Sequence, residues 1–174
     1  IYEFLLLNLA INYDTIIYIC NYKLSFDRLP KGVLYMCGIC GFTGEVIDRD
    51  KVIKNMTDVI THRGPDSDGV FMDDHIAMGF RRLSIIDLDA GHQPIYNEDK
   101  TLVLTFNGEI YNYKELRKVL IAKGHKFYTD TDSEVLIHGF EEWREDLLLK
   151  LRGMFGFAIY NTKDKSVFVA RDFF

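Results

Sequence analysis

The sequence predicts an α+β protein, with antiparallel sheets and helices stacked in layers. Three observations carry this. Apolar stretches of strand length come in runs, with helix-periodic segments between the runs. The connections inside a run are tight, which favours antiparallel pairing. Aromatic residues are plentiful, and 13 Phe and 10 Tyr suit sheet packing. With 174 residues, 48% of them hydrophobic, the chain is long enough to bury the core of one domain.

The elements follow in order. Gly38 to Thr43 reads as a strand, closed by Gly44. Val52, Ile53, Met56, Val59 and Ile60 recur at helical spacing, which predicts a helix from Asp50 to Thr61. Arg63-Gly64-Pro65-Asp66 reads as a loop. Strands are expected over Gly69 to Met72 and Ile76 to Ile86, joined at Asp73-Asp74. Leu102 to Phe106 is a strand running into Asn107-Gly108. Asn112 with Glu115 fits a capping box. It opens a helix with Leu116, Val119 and Leu120 inside and Gly124 at its C-terminal cap. Thr131 or Asp132 caps a further helix through Val135, Leu136 and Phe140. Met154 to Tyr160 and Ser166 to Arg171 form a hairpin over Asn161 to Lys165.

Residues 1–35 differ in composition, being dominated by Ile, Leu, Tyr, Asn, Phe and Lys. A secretory signal would carry a basic n-region and a small-residue cleavage site. A membrane helix needs about 20 mainly apolar residues, and Asn8, Asn12 and Asp14 interrupt the run. The expectation is an upstream extension, 1–35, that is not part of the mature protein, with Met36 as the start. A cleaved propeptide, or a genuine extra strand or helix, are the other readings. The ending Arg171-Asp172-Phe173-Phe174 has no turn signal, as expected of a domain cut short at its C-terminus.

A net charge of −5 disfavours general binding to nucleic acid or membrane surfaces. Three cysteines do not make a secreted disulfide scaffold, and a reducing cytoplasm is the simplest setting. Cys37-Gly38-Ile39-Cys40 can be read as a redox pair or half of a zinc site. There is no second Cys pair, and His62, His75, His92, His125 and His138 show no close ligand spacing. No metal is therefore expected, and Cys40 reads as a small buried core residue.

The alternative reading of Cys37 is chemical. If removal of Met36 exposes it, its thiol and α-amine, with ordinary pKa values of about 8.5 and 7.7–8.0, sit in one residue. The amine can then take the thiol's proton, which activates the nucleophile. Asn107-Gly108-Glu109 is either a β-turn or an oxyanion hole, since Gly lets a carbonyl approach the backbone closely. Arg82 is either a solvated or salt-bridged strand residue or a bidentate clamp on a carboxylate. Asp132 is either a helix N-cap or a partner for an ammonium group.

Eight motifs occur in series. They are Met36-Cys37-Gly38-Ile39-Cys40-Gly41, His62-Arg63-Gly64-Pro65-Asp66, Arg82-Leu83-Ser84-Ile85-Ile86-Asp87, Gly91-His92-Gln93-Pro94, Asn107-Gly108-Glu109-Ile110-Tyr111-Asn112, Thr131-Asp132-Ser133-Glu134, Gly153-Met154-Phe155 and Ala170-Arg171-Asp172. Together, from Met36 to Phe174, they resemble the glutaminase domain of glutamine-hydrolysing asparagine synthetases, which are class II glutamine amidotransferases. The resemblance implies a four-layer αββα sandwich of the N-terminal-nucleophile hydrolase type, incomplete at its C-terminus over 36–174.

The resemblance also implies a function: hydrolysis of L-glutamine to glutamate and ammonia. Cys37 matches the nucleophile, and Asn107 with Gly108 matches the oxyanion hole. Arg82 matches the grip on the substrate α-carboxylate. Asp132 and the Glu109 backbone match the α-ammonium site, and Leu83, Ser84, Ile85 and Ile86 line the same pocket. Arg63 is expected to be structural. The domain itself takes no cofactor. An absent synthetase domain would use ATP and Mg to convert aspartate to asparagine, and the full-length protein could be a homodimer. A different acceptor, an inactive binding module and a Cys-x-x-Cys metal or redox protein stand as alternatives.

Overall fold

The structure, a computed structural model, describes residues 16–19, 37–83 and 92–173. The elements are β1 (Ile16–Ile19), β2 (Gly38–Thr43), α1 (Arg49–Val59), β3 (Ser67–Met72), β4 (Ile76–Arg82), β5 (Ile95–Tyr96), β6 (Leu102–Ile110), α2 (Tyr113–Ala122), α3 (Glu134–Trp143), a 3-10 helix (Arg144–Lys150), β7 (Gly153–Asn161) and β8 (Val167–Arg171). They build two four-stranded antiparallel sheets, ordered β1-β2-β4-β3 and β5-β6-β7-β8.

Strand alternation explains the stacking. In β2 and β4, Cys40, Phe42 and Ala77 face α1 and cluster with its Ile53 and Met56, and with Ile60 beyond it. From the opposite face Ile76 and Met78 meet Val103, Tyr160, Val167 and Val169 of the second sheet. That sheet turns Leu102, Leu104, Phe106, Phe157 and Ile159 outward onto Leu116, Leu120, Val135, Leu136 and Phe140 of α2 and α3. Three apolar interfaces separate four layers, and the fold is an αββα sandwich.

Several local expectations are corrected. Val59 and Val119 are 68% and 47% exposed, because each helix has only one flank against a sheet. The strand expected over Ile76 to Ile86 ends at Arg82, leaving Leu83 outside it. Ser84, Ile85, Ile86, Asp87 and Gly91 lie outside the described residues. Of the segment 1–35 only 16–19 is described, and it pairs with β2.

Asn112 precedes α2 as expected, with Gly124 at positive φ just after it. Yet the Asn112 side chain makes no cap; it bridges the Arg152 N–H and the Lys150 carbonyl. The cap position of α3 is Ser133, not Thr131 or Asp132. The 3-10 helix and the short β5 are additions that the sequence reading missed.

The two sheets are also locked at one end. The Asp73 carboxylate, in the β3–β4 turn, accepts the Ile76 and His75 N–H groups and the Tyr160 hydroxyl of β7 at 2.7 Å. This contact fixes the direction of one sheet over the other. The Tyr160–Val103 end of the second sheet sits over the β3–β4 turn, so Asn107 lies toward the opposite end.

Candidate active site

Alternation decides which side chains can meet. In β2, Gly38, Cys40 and Phe42 point toward α1, so Ile39 and, one step before the strand, Cys37 have inter-sheet parity. In β4, Arg81 bonds Thr57 and Asp58 on the α1 side, which turns Arg82 to the inter-sheet side. Gly38 pairs with Arg81, so the register sets Cys37 beside Arg82. In β6, Val103 faces between the sheets, and Asn107 shares its parity. Cys37, Arg82 and Asn107 thus share the inter-sheet face, at the end away from Asp73.

Cys37 is half-buried and its thiol is free. The Leu83 N–H donates to its Sγ at 3.4 Å, and the Arg63 Nε donates to its carbonyl at 3.3 Å. Burial pushes the thiol above its ordinary pKa. Backbone donors from Leu83 and Cys37 itself, then Arg82 and Arg63, pull the other way without overcoming it. In a chain that retains residue 36 the Cys37 nitrogen is a peptide amide, so no adjacent amine offsets this.

The loop after α1 serves Arg82. A Cβ on Gly64 would lie 2.5–2.6 Å from the Arg81–Arg82 backbone, so only glycine lets the loop lie on that strand. The Asp66 N–H then donates to the Arg82 carbonyl at 3.1 Å. Arg82 itself is 8% exposed.

Asn107-Gly108-Glu109 forms no turn; all three lie within β6, paired with Gly156, Phe155 and Met154. The N–H and C=O of Phe106 both bond the Gln93 side chain, at 2.6 and 2.9 Å, on the edge away from β7. The Ile110 N–H, on the same edge, donates to Asp132 Oδ2 at 2.7 Å. Gly108 stands midway between them with the same parity, so its N–H points out of that edge. The side-chain Nδ2 of Asn107, 2% exposed, is buried without a hydrogen-bond partner among the described residues. Gly108 has a φ of +150°, and a Cβ there would lie 2.1 Å from the Met154 carbonyl oxygen.

Asp132 is therefore a bracket on the end of β6. Burial pushes its pKa up, and Glu109 adds to this, against backbone donors from Ile110, Asp132 and Ser133. Glu109 is exposed on β6, across from Met154. Glu134 is spent on structure, accepting the Tyr128 and Thr129 N–H groups and the Thr129 hydroxyl.

Cys40 is buried against α1. Residues three apart on a strand face opposite ways, so Cys37 and Cys40 do not converge as a dithiol or ligand pair. Two features escaped the sequence reading. One is Gln93 as the clamp on β6, which its place in Gly91-His92-Gln93-Pro94 could have suggested. The other is the pairing of His125 with His138, whose rings stand 5.0 Å apart despite distant positions in the chain.

A family description, the glutamine amidotransferase domain, matches residues 36–174. Asparagine synthetase [glutamine-hydrolyzing] 1 of Bacillus subtilis is 50% identical over 142 residues, covering 77% of this chain and 22% of that protein. The Brassica oleracea asparagine synthetase is 44% identical over 141 residues, covering 79% and 24%. The chain thus spans under a quarter of the length of these curated relatives. Among solved structures, glutamine phosphoribosylpyrophosphate amidotransferase from B. subtilis, complexed with ADP and GMP, superposes with a TM-score of 0.41 at 26% identity. That match covers 50% of this chain and 21% of the other. By the match over 36–174, the chain belongs to the glutamine amidotransferase domain family.

Proposed function

We propose that this domain hydrolyses L-glutamine to glutamate and ammonia, with Cys37 as the nucleophile once it is the first residue. The observation that supports this best is the buried Asn107 Nδ2, without a hydrogen-bond partner among the described residues, which faces the inter-sheet space from the second sheet at the end where Cys37 faces it from the first. A buried donor without a partner costs about 1–3 kcal/mol, and an oxyanion forming during the reaction would satisfy it.

In this reading the terminal amine takes the thiol proton, and the thiolate attacks the side-chain amide carbon. The tetrahedral oxyanion accepts from Asn107 Nδ2 and the Gly108 N–H. The protonated amine gives its proton to the leaving ammonia, and a thioester remains. Water, deprotonated by the amine, attacks the thioester, and glutamate leaves as the thiol is restored. Arg82 grips the α-carboxylate in a bidentate contact that a lysine would not reproduce. Asp132 and the Glu109 backbone hold the α-ammonium, and Leu83 to Ile86 line the pocket. One cation and one anion select a free amino acid over glutamine within a peptide.

The ammonia would supply ATP-dependent conversion of aspartate to asparagine. The names of the relatives support that acceptor. The synthetase domain, its ATP and Mg, a homodimer and a cytoplasmic setting belong to the same proposal; the glutaminase domain needs no cofactor in it. No helix among the described residues is long and apolar enough to cross a membrane.

The test is ammonia release from glutamine by protein expressed from Met36. Cys37→Ala should abolish it and Cys40→Ser should keep most of it. Equal loss in both variants would sink the assignment, as would full activity in a protein that keeps residues 1–36.

A further inference from the structure

We propose a structural site for a divalent transition ion of the zinc class, held by Glu98, His125, His138 and Glu141 in the outer helical layer. One donor atom from each lies within 4.8 Å of the others. His138 Nδ1 stands 3.1 Å from Glu141 Oε2 and 3.5 Å from Glu98 Oε2. His125 Nδ1 stands 3.5 Å from Glu141 Oε2 and 3.8 Å from Glu98 Oε1. A tetrahedron with metal–ligand bonds of about 2.0–2.2 Å has edges of about 3.3–3.6 Å. The edges from Glu141 Oε2 to the two imidazoles and from His138 Nδ1 to Glu98 lie at 3.1–3.5 Å, near those of such a shell, and the Glu98 carboxylate, which meets the two imidazoles with different oxygens, would turn to offer one of them.

Three of the four donors have the outer partner that a metal ligand needs. His125 turns its other nitrogen to Glu142 Oε1 at 3.0 Å, which leaves Nδ1 facing the cluster. Asn97 Nδ2 holds the second oxygen of Glu141 at 2.8 Å, and the Lys126 N–H holds Glu98 Oε1 at 2.9 Å. Around two imidazoles stand the carboxylates of Glu98, Glu141 and Glu142, with Lys123 bonded to Glu142 at 2.7 Å. A dication would balance the excess negative charge. His138 is fully buried and its Nε2 has no hydrogen-bond partner among the described residues, so the polar interactions it makes with them are those of Nδ1.

The ligands come from three places. Glu98 is in the β5–β6 turn, and His125 follows the end of α2, where its N–H caps the Leu120 carbonyl. His138 and Glu141 share one face of α3 at i, i+3 spacing. An ion would tie α2, α3 and the β5–β6 connection together. Four protein ligands leave no open position, which marks a structural site and not a catalytic one. This inference is independent of the proposed glutaminase chemistry.

The test uses the full chain, stripped with a chelator and titrated with Co2+. One equivalent should give the intense visible bands of four-coordinate cobalt without thiolate charge transfer. Zn2+ should displace it and raise the melting temperature. Glu98→Gln and His125→Asn should each weaken cobalt binding at least about tenfold, as expected for loss of a ligand, while His62→Asn, elsewhere on the surface, should not. The wild-type titration stands even if a variant misfolds. Absence of the visible bands, a spectrum dominated by thiolate charge transfer, or binding unchanged in Glu98→Gln would each overturn the proposal, leaving a hydrogen-bonded His–Glu cluster.

Discussion

Truncating Asn107 to Ala separates the two demands on that side chain. In the resting protein its Nδ2 is buried and has no hydrogen-bond partner among the described residues. Removing an unsatisfied buried donor returns about 1–3 kcal/mol, against lost packing of the same order. The net change in stability should stay within about 1 kcal/mol, or about 2–4 °C in melting temperature for a chain of this size. Turnover should respond differently. Losing one of two oxyanion donors costs about 100- to 1,000-fold in kcat, about 2.7–4 kcal/mol of transition-state stabilisation. KM should change little, because the donor acts on charge that develops only in the reaction. The assay is ammonia release in the form beginning at Cys37, with thermal melts on the same samples. Thr105→Val, two residues back on the same face, serves as the control that keeps its kcat. A kcat within about fivefold of the parent protein would refute the reasoning, since the oxyanion-hole role requires a far larger loss. So would a collapse of the melting temperature that accounts for the lost activity.

Other expectations follow from the remaining site and from the lock between the sheets. Burial raises the Asp132 pKa, so its carboxyl binds protons more tightly folded than unfolded. Its contribution to stability is full below about pH 3.9 and is lost as pH rises through the raised value. Asp132→Asn should therefore stabilise the ligand-free protein near neutral pH while raising the KM for glutamine, and in the parent KM should rise as acid neutralises Asp132; a KM unmoved by the substitution would count against the ammonium site. Burial likewise raises the Cys37 thiol. Its alkylation by iodoacetamide in the full chain should keep accelerating above about pH 8.5, whereas the form beginning at Cys37 should react readily near neutral pH; identical pH profiles would contradict activation by the terminal amine. Hydrogen bonds from Tyr160, His75, Ile76 and Lys165 outweigh burial and hold the Asp73 carboxyl low, giving stability that is lost as pH falls through that depressed value. Tyr160→Phe should cost about 1.5–3 kcal/mol at neutral pH, and less in acid, by denaturant melts; a loss independent of pH would leave packing alone as its cause. Gly108→Ala should disrupt the β6–β7 pairing, because its Cβ would meet the Met154 carbonyl oxygen at 2.1 Å; an unchanged melt and full turnover would show that the strand can shift to admit it.

The layered α+β class, all three predicted helices and the final hairpin were legible in the sequence, because period 2 and period 3.6 are properties of short stretches of chain. The candidate site was legible as an ordered set of motifs. Even the failure of Cys37 and Cys40 to converge follows from reading Gly38 to Thr43 as a strand, since parity on a strand is local. Other features depended on partners far away in the chain. Asn-Gly is a strong turn signal, yet pairing with Phe155 and Gly156 on β7 holds Asn107 and Gly108 extended. Asp132 looked like a helix cap, but the Ile110 N–H, 22 residues away, claims its carboxylate. Gln93 clamps Phe106 across 13 residues, and His125 reaches His138 only because α2 and α3 pack side by side. Local spacing carries the strands, the helices and the types of residue at the site. Which nitrogen meets which oxygen is set by register and layer packing, and those exist only once the sheets have closed on each other.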